Sequence, residues 1–246
     1  MDTTLDGLLN RRVTLEQPKS GYRVAVDTIF LAAAVPARTG ERILDMGCGV
    51  GGALLCLARR VAGVKGTGID VQPDLAELFR RNITRNTFAA GLEAQTGDVA
   101  RLSPELHGAF DHVMANPPYH DEARHDVSAN AVKQTANTEK SGDLALWVAS
   151  AAAALKPSGL FTLIHRADRR DEILPLLQPA FGDIEILCLL PKENAEAKRV
   201  IIRARKGAPF SVREAAPLVL HKADGGYTQE ADAVLRDCQE MLFQSP

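Results

Sequence analysis

Between Ile43 and Gly52 the chain reads Ile-Leu-Asp-Met-Gly-Cys-Gly-Val-Gly-Gly, and no other stretch constrains the fold as strongly. An apolar, strand-like run ends in a carboxylate and then turns on closely spaced glycines into an apolar, helix-like stretch. Glycines at such a junction let the backbone turn tightly and lie directly against a ligand. The spacing of Gly47, Gly49 and Gly52 also fits the dinucleotide fingerprint, in which a helix N-terminus holds a pyrophosphate. Asp45, just ahead of the first glycine, would repel that phosphate and attract a ligand carrying ammonium and sulfonium charges. S-adenosylmethionine is such a ligand. Asp45, Gly47, Gly49 and Gly51 are expected to line its methionine end.

A second motif speaks to the chemistry. Phe110-Asp-His-Val-Met-Ala115 reads as another buried strand and runs straight into Asn116-Pro117-Pro118-Tyr119. Two prolines remove two backbone N–H donors and fix φ, while the carbonyls and the Asn116 side-chain oxygen remain as acceptors. A site made of acceptors suits a substrate that brings N–H donors, such as the planar NH2 of a base or an amide. Acceptors on both hydrogens would draw that nitrogen toward tetrahedral geometry and aim its lone pair at a sulfonium methyl. No strong base is required, because the proton can leave after transfer. Asn116, Pro117 and Tyr119 are therefore the expected catalytic residues, with Tyr119 a face on which a base can stack.

Farther along, Gly66-Thr-Gly-Ile-Asp70 ends a third strand-like run about 20 residues beyond the glycine turn, where a carboxylate meets ribose hydroxyls in this kind of fold. Asp70, with Val71 beside it, is assigned to the cofactor on that ground. The competing reading makes Asp70 an N-cap for the helix opening at Pro73.

Strand-like and helix-like stretches alternate, which argues for a mostly parallel α/β sheet. Strands are expected near 42–47, 65–70, 94–98, 110–115, 159–165, 183–190 and 199–205, and helices near 25–35, 51–62, 73–87, 143–155, 168–179 and 228–243. The last two strands follow each other without a helix, which implies an antiparallel pair at the end of the sheet. Residues 1–40 are expected as an N-terminal segment and helix covering the cofactor site, continuous with a catalytic domain over 41–246. The polar stretch His120–Gly142 directly follows the acceptor motif and reads either as a solvated loop or as a lid.

Composition excludes less than the motifs decide. The chain has 246 residues and a formal net charge of −2, so a basic surface for nucleic acid has to be local. No long uncharged apolar run suggests a membrane span. Cys48, Cys56, Cys188 and Cys238 are widely spaced and are expected as reduced thiols in a cytoplasmic protein. The six histidines show no metal spacing, so no metal is expected; His112 and His165, on strand-like runs, are expected to be structural, and Trp147 to belong to the core.

With both motifs in place, the chain resembles the Rossmann-like, class I S-adenosylmethionine-dependent methyltransferases that act on amines. Three further segments resemble the bacterial valine-tRNA adenine-N6 methyltransferases: Gln17–Leu31, Pro191–Val200 and Leu218–Thr228. The resemblance implies a seven-stranded, mostly parallel sheet with the last strand antiparallel and helices on both faces. It implies that Asp98, with Val99 beside it, meets the adenine of the cofactor, and that the Asp27 segment lies over the cofactor. It implies adenine N6 in transfer RNA as the substrate. Protein-glutamine and ribosomal-RNA guanine methyltransferases carry closely similar Asn-Pro-Pro-aromatic motifs and stay open as alternatives, as do a non-catalytic cofactor-binding module and a nicotinamide dehydrogenase.

For an RNA partner the local basic groups are Arg80, Arg81 and Arg85 on one helix and Lys198, Arg199, Arg203, Arg205 and Lys206 around the last strand. Arg199, Arg203 and Arg205 fall at odd positions and share one strand face. That face reads either as an RNA contact or as a solvated sheet edge. Arg23 reads as a cofactor-side residue or a surface ion pair.

Overall fold

The structure is a computed structural model that describes residues 1–21, 23–88, 90–118 and 144–245. Its centre is a nine-stranded sheet. The seven strands expected from sequence are β3 (Arg42–Met46), β4 (Lys65–Asp70), β5 (Leu92–Thr96), β6 (Phe110–Ala115), β7 (Leu155–Arg166), β8 (Phe181–Lys192) and β9 (Arg199–Lys206). Two short strands, β10 (Val212–Glu214) and β11 (Leu218–His221), add to β8. The order is β10-β8-β9-β7-β6-β3-β4-β5, with β11 also on β8.

Every neighbouring pair is parallel except those made by β9, which is antiparallel to both β7 and β8. The expected antiparallel pair is present, but β9 is not at the end of the sheet. It lies between β7 and β8, and its central residues Val200–Ala204 are buried accordingly.

Helices cover both faces. On one, α1 (Val26–Ala34), α2 (Gly52–Arg60) and α3 (Pro73–Arg85) bury Phe30, Leu54 and Phe79; on the other, α4 (Leu144–Ala154) and α5 (Arg170–Leu177) bury Trp147 and Ile173. Proline opens α3 at its first turn, where the missing N–H has no helical partner to lose. A final helix, α6 (Gln229–Asp237), starts at Thr228, whose hydroxyl accepts from Ala231 N. It stops short of the expected 243 because Cys238 turns left-handed at φ 52°. The apolar stripe still finds the core: Met241 and Phe243 are buried in an irregular tail that donates from Met241 N to Ala33 O at 2.9 Å.

An N-terminal hairpin, β1 (Thr3–Leu8) with β2 (Val13–Pro18), was not expected from sequence. Its outer edge is satisfied by side chains of α3. Asn82 Oδ1 accepts from Glu16 N and Asn82 Nδ2 donates to Glu16 O, while Asn86 does the same for Thr14, all at 2.7–2.9 Å. Two amides one helical turn apart thus stand in for the ladder of a missing strand.

Strand order reverses at β3, which has β4 on one side and β6 on the other. A crevice outside the carboxyl ends of the strands opens at such a reversal and is where open α/β sheets bind ligands. The glycine turn follows β3 and the Asn-Pro-Pro segment follows β6, so topology alone delivers both motifs to one place.

Candidate active site

A cavity of about 340 Å³ occupies that crevice, within the range of small-ligand sites. Its walls are Gly47 and Gly49 from the turn after β3, Asp70, Val71, Gln72 and Leu75 after β4, Val99 after β5, and Asn116, Pro117 and Pro118 after β6, with Trp147 of α4 closing one side. The structure therefore brings together seven of the residues picked from sequence, namely Gly47, Gly49, Asp70, Val71, Val99, Asn116 and Pro117. Tyr119 and residues 120–142 lie outside the described residues.

The glycine turn is shaped by two aromatic rings. Gly47 has φ +66°, and a Cβ there would lie 2.6 Å from the Trp147 ring; Gly51 has φ +83°, and a Cβ there would meet Phe79 at 1.9 Å. Both positions require the left-handed backbone and the missing side chain. Trp147 was expected only as core. It is buried, but it also forms a cavity wall against Gly47. The alanine-rich surroundings of Trp147 in sequence carry no signal of that second role.

Asp45 lies under the turn rather than on the cavity wall. It is 3% exposed, it accepts from the Leu54 backbone N–H in the first turn of α2, and its Oδ2 has no hydrogen-bond partner among the described residues. Burial first, and the nearby Asp70 charge second, push its carboxyl up to about 8. An orphaned buried carboxylate oxygen beneath a ligand-sized cavity is the feature a cationic ligand would complete.

Asp70 faces the cavity and also holds the turn. Its Oδ2 accepts from Gly49 N and its Oδ1 from Gln72 N, each at 2.9 Å. The alternative reading of Asp70 is thus partly realised, because it organises the chain entering α3, although the N-cap position belongs to Gln72. Burial is the main influence on Asp70 and raises its pKa, against the pull of those two N–H donors. Asp98 caps a single 3-10 turn through Ala100 N at 2.9 Å, next to Val99 on the wall.

Asp27, in the first turn of α1, accepts from Arg199 Nε at 2.6 Å and is not on the cavity wall. Arg23 pairs with Asp6 of the hairpin, Arg80 with Glu77, and Arg81 and Arg85 both with Glu16.

Among the arginines expected to meet RNA, one is overturned. Arg203 is 6% exposed; its guanidinium donates to Ala34 O at 2.6 Å and Met241 O at 2.9 Å and stacks on Phe243. It binds the end of α1 to the C-terminal tail and cannot reach a partner. The solvated-edge alternative fails too, because β9 is interior. Arg205 is exposed but lies toward the opposite end of the sheet, bonded to Ser158 O and paired with Asp183. Of the basic groups expected around β9, Lys198 and Arg199 stand at the carboxyl edge that carries the cavity. His112 bonds Glu41, and His165 is buried with its pKa lowered to about 4, chiefly by that burial. The four cysteines are free thiols.

The profile of the methyltransferase small domain family matches residues 20–192. The chain belongs to that family. It is a methyltransferase that uses S-adenosyl-L-methionine, and its sheet is the class I methyltransferase fold. A tRNA1(Val) (adenine(37)-N6)-methyltransferase of Actinobacillus pleuropneumoniae is 25% identical over 92% of this methyltransferase and 94% of its own length. The release factor glutamine methyltransferase of Agrobacterium fabrum is 36% identical, but over 47% of this chain and 39% of its own. Among solved structures, a protein of Agrobacterium tumefaciens described as a predicted O-methyltransferase has a TM-score of 0.74 and 26% identity, covering 87% of this chain and 98% of its own. A Thermotoga maritima O-methyltransferase, at 19% identity and a TM-score of 0.57 over 78% of this chain and 69% of its own, shares the fold.

Proposed function

We propose that this methyltransferase modifies the exocyclic N6 amine of adenine in transfer RNA. One observation carries the reading. The Asn116-Pro117-Pro118 corner, where two prolines remove backbone donors and leave carbonyl and Asn116 Oδ1 acceptors, shares a single cavity with Gly47, Gly49 and Asp70. An NH2 group docked there has acceptors on one side and the cofactor site on the other. The tRNA-modifying relatives, similar along nearly the whole chain, support adenine as the bearer of that amine.

In this reading Asp70 takes the ribose hydroxyls, and Val71 and Val99 pack on the adenine of the cofactor, with Asp98 at its amino group. Asp45 balances positive charge at the methionine end. The cofactor supplies an electrophilic methyl group. Asn116 Oδ1 and the Pro117 carbonyl accept the two amine hydrogens, which localises the nitrogen lone pair. Tyr119 offers the stacking face. The target base has to leave its stack to reach this corner, as bases do in other base-modifying enzymes.

A second reading rests on the glutamine-methylating relative, whose similarity is higher but confined to less than half of each chain. A glutamine amide presents the same two N–H donors. Nucleoside mass spectrometry of RNA from cells with and without the protein separates the two. Loss of a methyladenosine is the expected result. Unchanged RNA together with loss of a methylglutamine would overturn the RNA reading in favour of the protein one.

A further inference from the structure

The segment Leu218–Thr228 has no part in the cavity, yet it is built with care. His221 and Tyr227 face each other across an antiparallel bridge, their rings stacked with centroids 4.7 Å apart. A tight turn holds them there: Lys222 N donates to Gly226 O at 2.8 Å, Gly225 takes φ +90°, and Asp224 Oδ1 accepts from Gly226 N. Beyond Tyr227, Thr228 is pinned by Leu220 O, by Val219 O and by the cap of α6. On the other side His221 Nδ1 lies 3.0 Å from Pro191 O. A carbonyl can only accept, so Nδ1 donates this bond and the ring is held in place by it. Tyr227 is 39% exposed. The result is a rigid, half-open aromatic pair beside a groove of about 680 Å³ that Lys192 and Lys222 also line.

Its position follows from register. Ala115 of β6 is level with Leu163 of β7, then Ile202 of β9, then Ile186 of β8; His221 of β11 is level with Lys192. The ring pair therefore stands about four strand spacings, roughly 19 Å, to one side of Asn116, and about five residues, roughly 16 Å, beyond it along the strands. Across that edge each strand end adds a cation: Arg166 on β7, Lys198 and Arg199 at β9, Lys192 on β8 and Lys222 after β11. Arg166 and Arg199 are engaged with Asp168 and Asp27. Lys192, Lys198 and Lys222 are exposed and have no ion-pair partner among the described residues. Glu193, Glu196 and Asp224 share these loops, so the edge is a row of separate cations rather than a uniformly positive patch.

We infer that the His221–Tyr227 pair is a second RNA-binding site, which stacks a base of the substrate RNA away from the methylated one. Lys192, Lys198 and Lys222 contact the phosphates between. The inference rests on the RNA reading of the active site. An aromatic face beside exposed lysines is the chemistry of a single-stranded segment, since every base has a π-face. The diagonal from Asn116 to the pair, about 25 Å, corresponds to roughly seven stacked nucleotides at ~3.4 Å each. Such a span would let the enzyme test for a folded loop rather than a lone adenine.

The test uses the full chain and an unmodified valine-tRNA transcript. Wild-type label transfer to this RNA is measured first, because its absence, with transfer to a glutamine-bearing protein instead, overturns the RNA reading and this site together. With transfer established, Tyr227→Ala is expected to weaken tRNA binding and raise its KM roughly tenfold, with kcat at saturating RNA and S-adenosylmethionine affinity unchanged. Tyr227→Phe, which keeps the ring, should bind RNA as wild type does. Lys192→Gln with Lys222→Gln should flatten the salt dependence of binding by about one to two units of slope. An active wild type whose Tyr227→Ala variant binds tRNA normally would overturn the site alone. Loss of S-adenosylmethionine binding in Tyr227→Ala would likewise overturn it, by showing that the ring serves only the fold.

Discussion

Asn82 Nδ2, fully buried on α3, donates to Val50 O inside the glycine turn at 3.0 Å. The same amide pairs with both backbone groups of Glu16, so one side chain fastens the N-terminal hairpin to the turn that lines the cavity. Asn82→Ala leaves Glu16 N, Glu16 O and Val50 O buried without this partner. The expected cost is about 3 kcal/mol or more, read as a lower urea midpoint at unchanged slope. The KM for S-adenosylmethionine should rise in parallel, because the turn loses an anchor.

Asp45 should make cofactor binding pH-dependent. Its folded-state pKa, raised to about 8 by burial and the Asp70 charge, lies far above that of an unfolded aspartate. Without ligand the native protein holds a proton that the unfolded chain has released, so the Asp45 contribution to stability is fully present below about pH 4 and is lost as pH rises through about 8. Asp70 is shifted in the same direction. A cationic ligand favours the ionised carboxylate, so binding near pH 7 should release up to about one proton. Calorimetry in buffers of different ionisation enthalpy measures that release. Asp45→Asn should abolish it, weaken binding, and stabilise the ligand-free protein at high pH.

Asn116 and Asp70 should separate chemistry from binding. Asn116→Ala removes an acceptor that matters most as the amine pyramidalises. It should lower kcat by on the order of 100-fold or more, by analogy with an oxyanion-hole donor, with little change in cofactor Kd. Asp70→Ala removes a cavity carboxylate and the bond to Gly49 N, so it should weaken cofactor binding first. Equal loss of cofactor affinity in both would remove Asn116 from the chemistry.

Arg203 and Lys198 should behave oppositely. Arg203→Met strands Ala34 O and Met241 O and is expected to destabilise by about 2–4 kcal/mol, with RNA affinity per folded molecule unchanged. Lys198→Gln should leave the unfolding midpoint in place and reduce the salt slope of RNA binding by about one.

Much of the sheet was legible because several of its strands, such as Arg42–Met46 and Phe110–Ala115, are mostly apolar runs that end at a glycine or proline turn. The expected 65–70 and 110–115 coincide with β4 and β6. The hairpin was not, because its turn carries neither glycine nor proline and only Asn10 among the residues that favour turns. Leu9, Asn10 and Arg11 all take positive φ, at 50°, 54° and 64°, without a glycine among them. β7 begins at Leu155 rather than 159 because the chain bulges between its pairs at Phe110 and His112, so Pro157-Ser158-Gly159 forms an irregularity inside the strand and not its start. Arg203 misled because alternation reports which face a residue shares, not whether that face is covered. What covers it is α1 and a tail 38 residues farther on. The cavity residues were readable where glycine, acid or proline marked them. Trp147 carried no such mark.

The place of β9 sets a timetable for the nascent chain. The strands around the crevice, β3 to β6, are complete once Ala115 has left the ribosome, and β7 can join them by Arg166. β8 has no partner on that assembly, because β9 lies between them and is made last of the three. Until Lys206 emerges, β7 is an open border and β8 waits unattached, so the cofactor half of the molecule can mature first during synthesis while the flank carrying His221 and Tyr227 is stitched on afterwards.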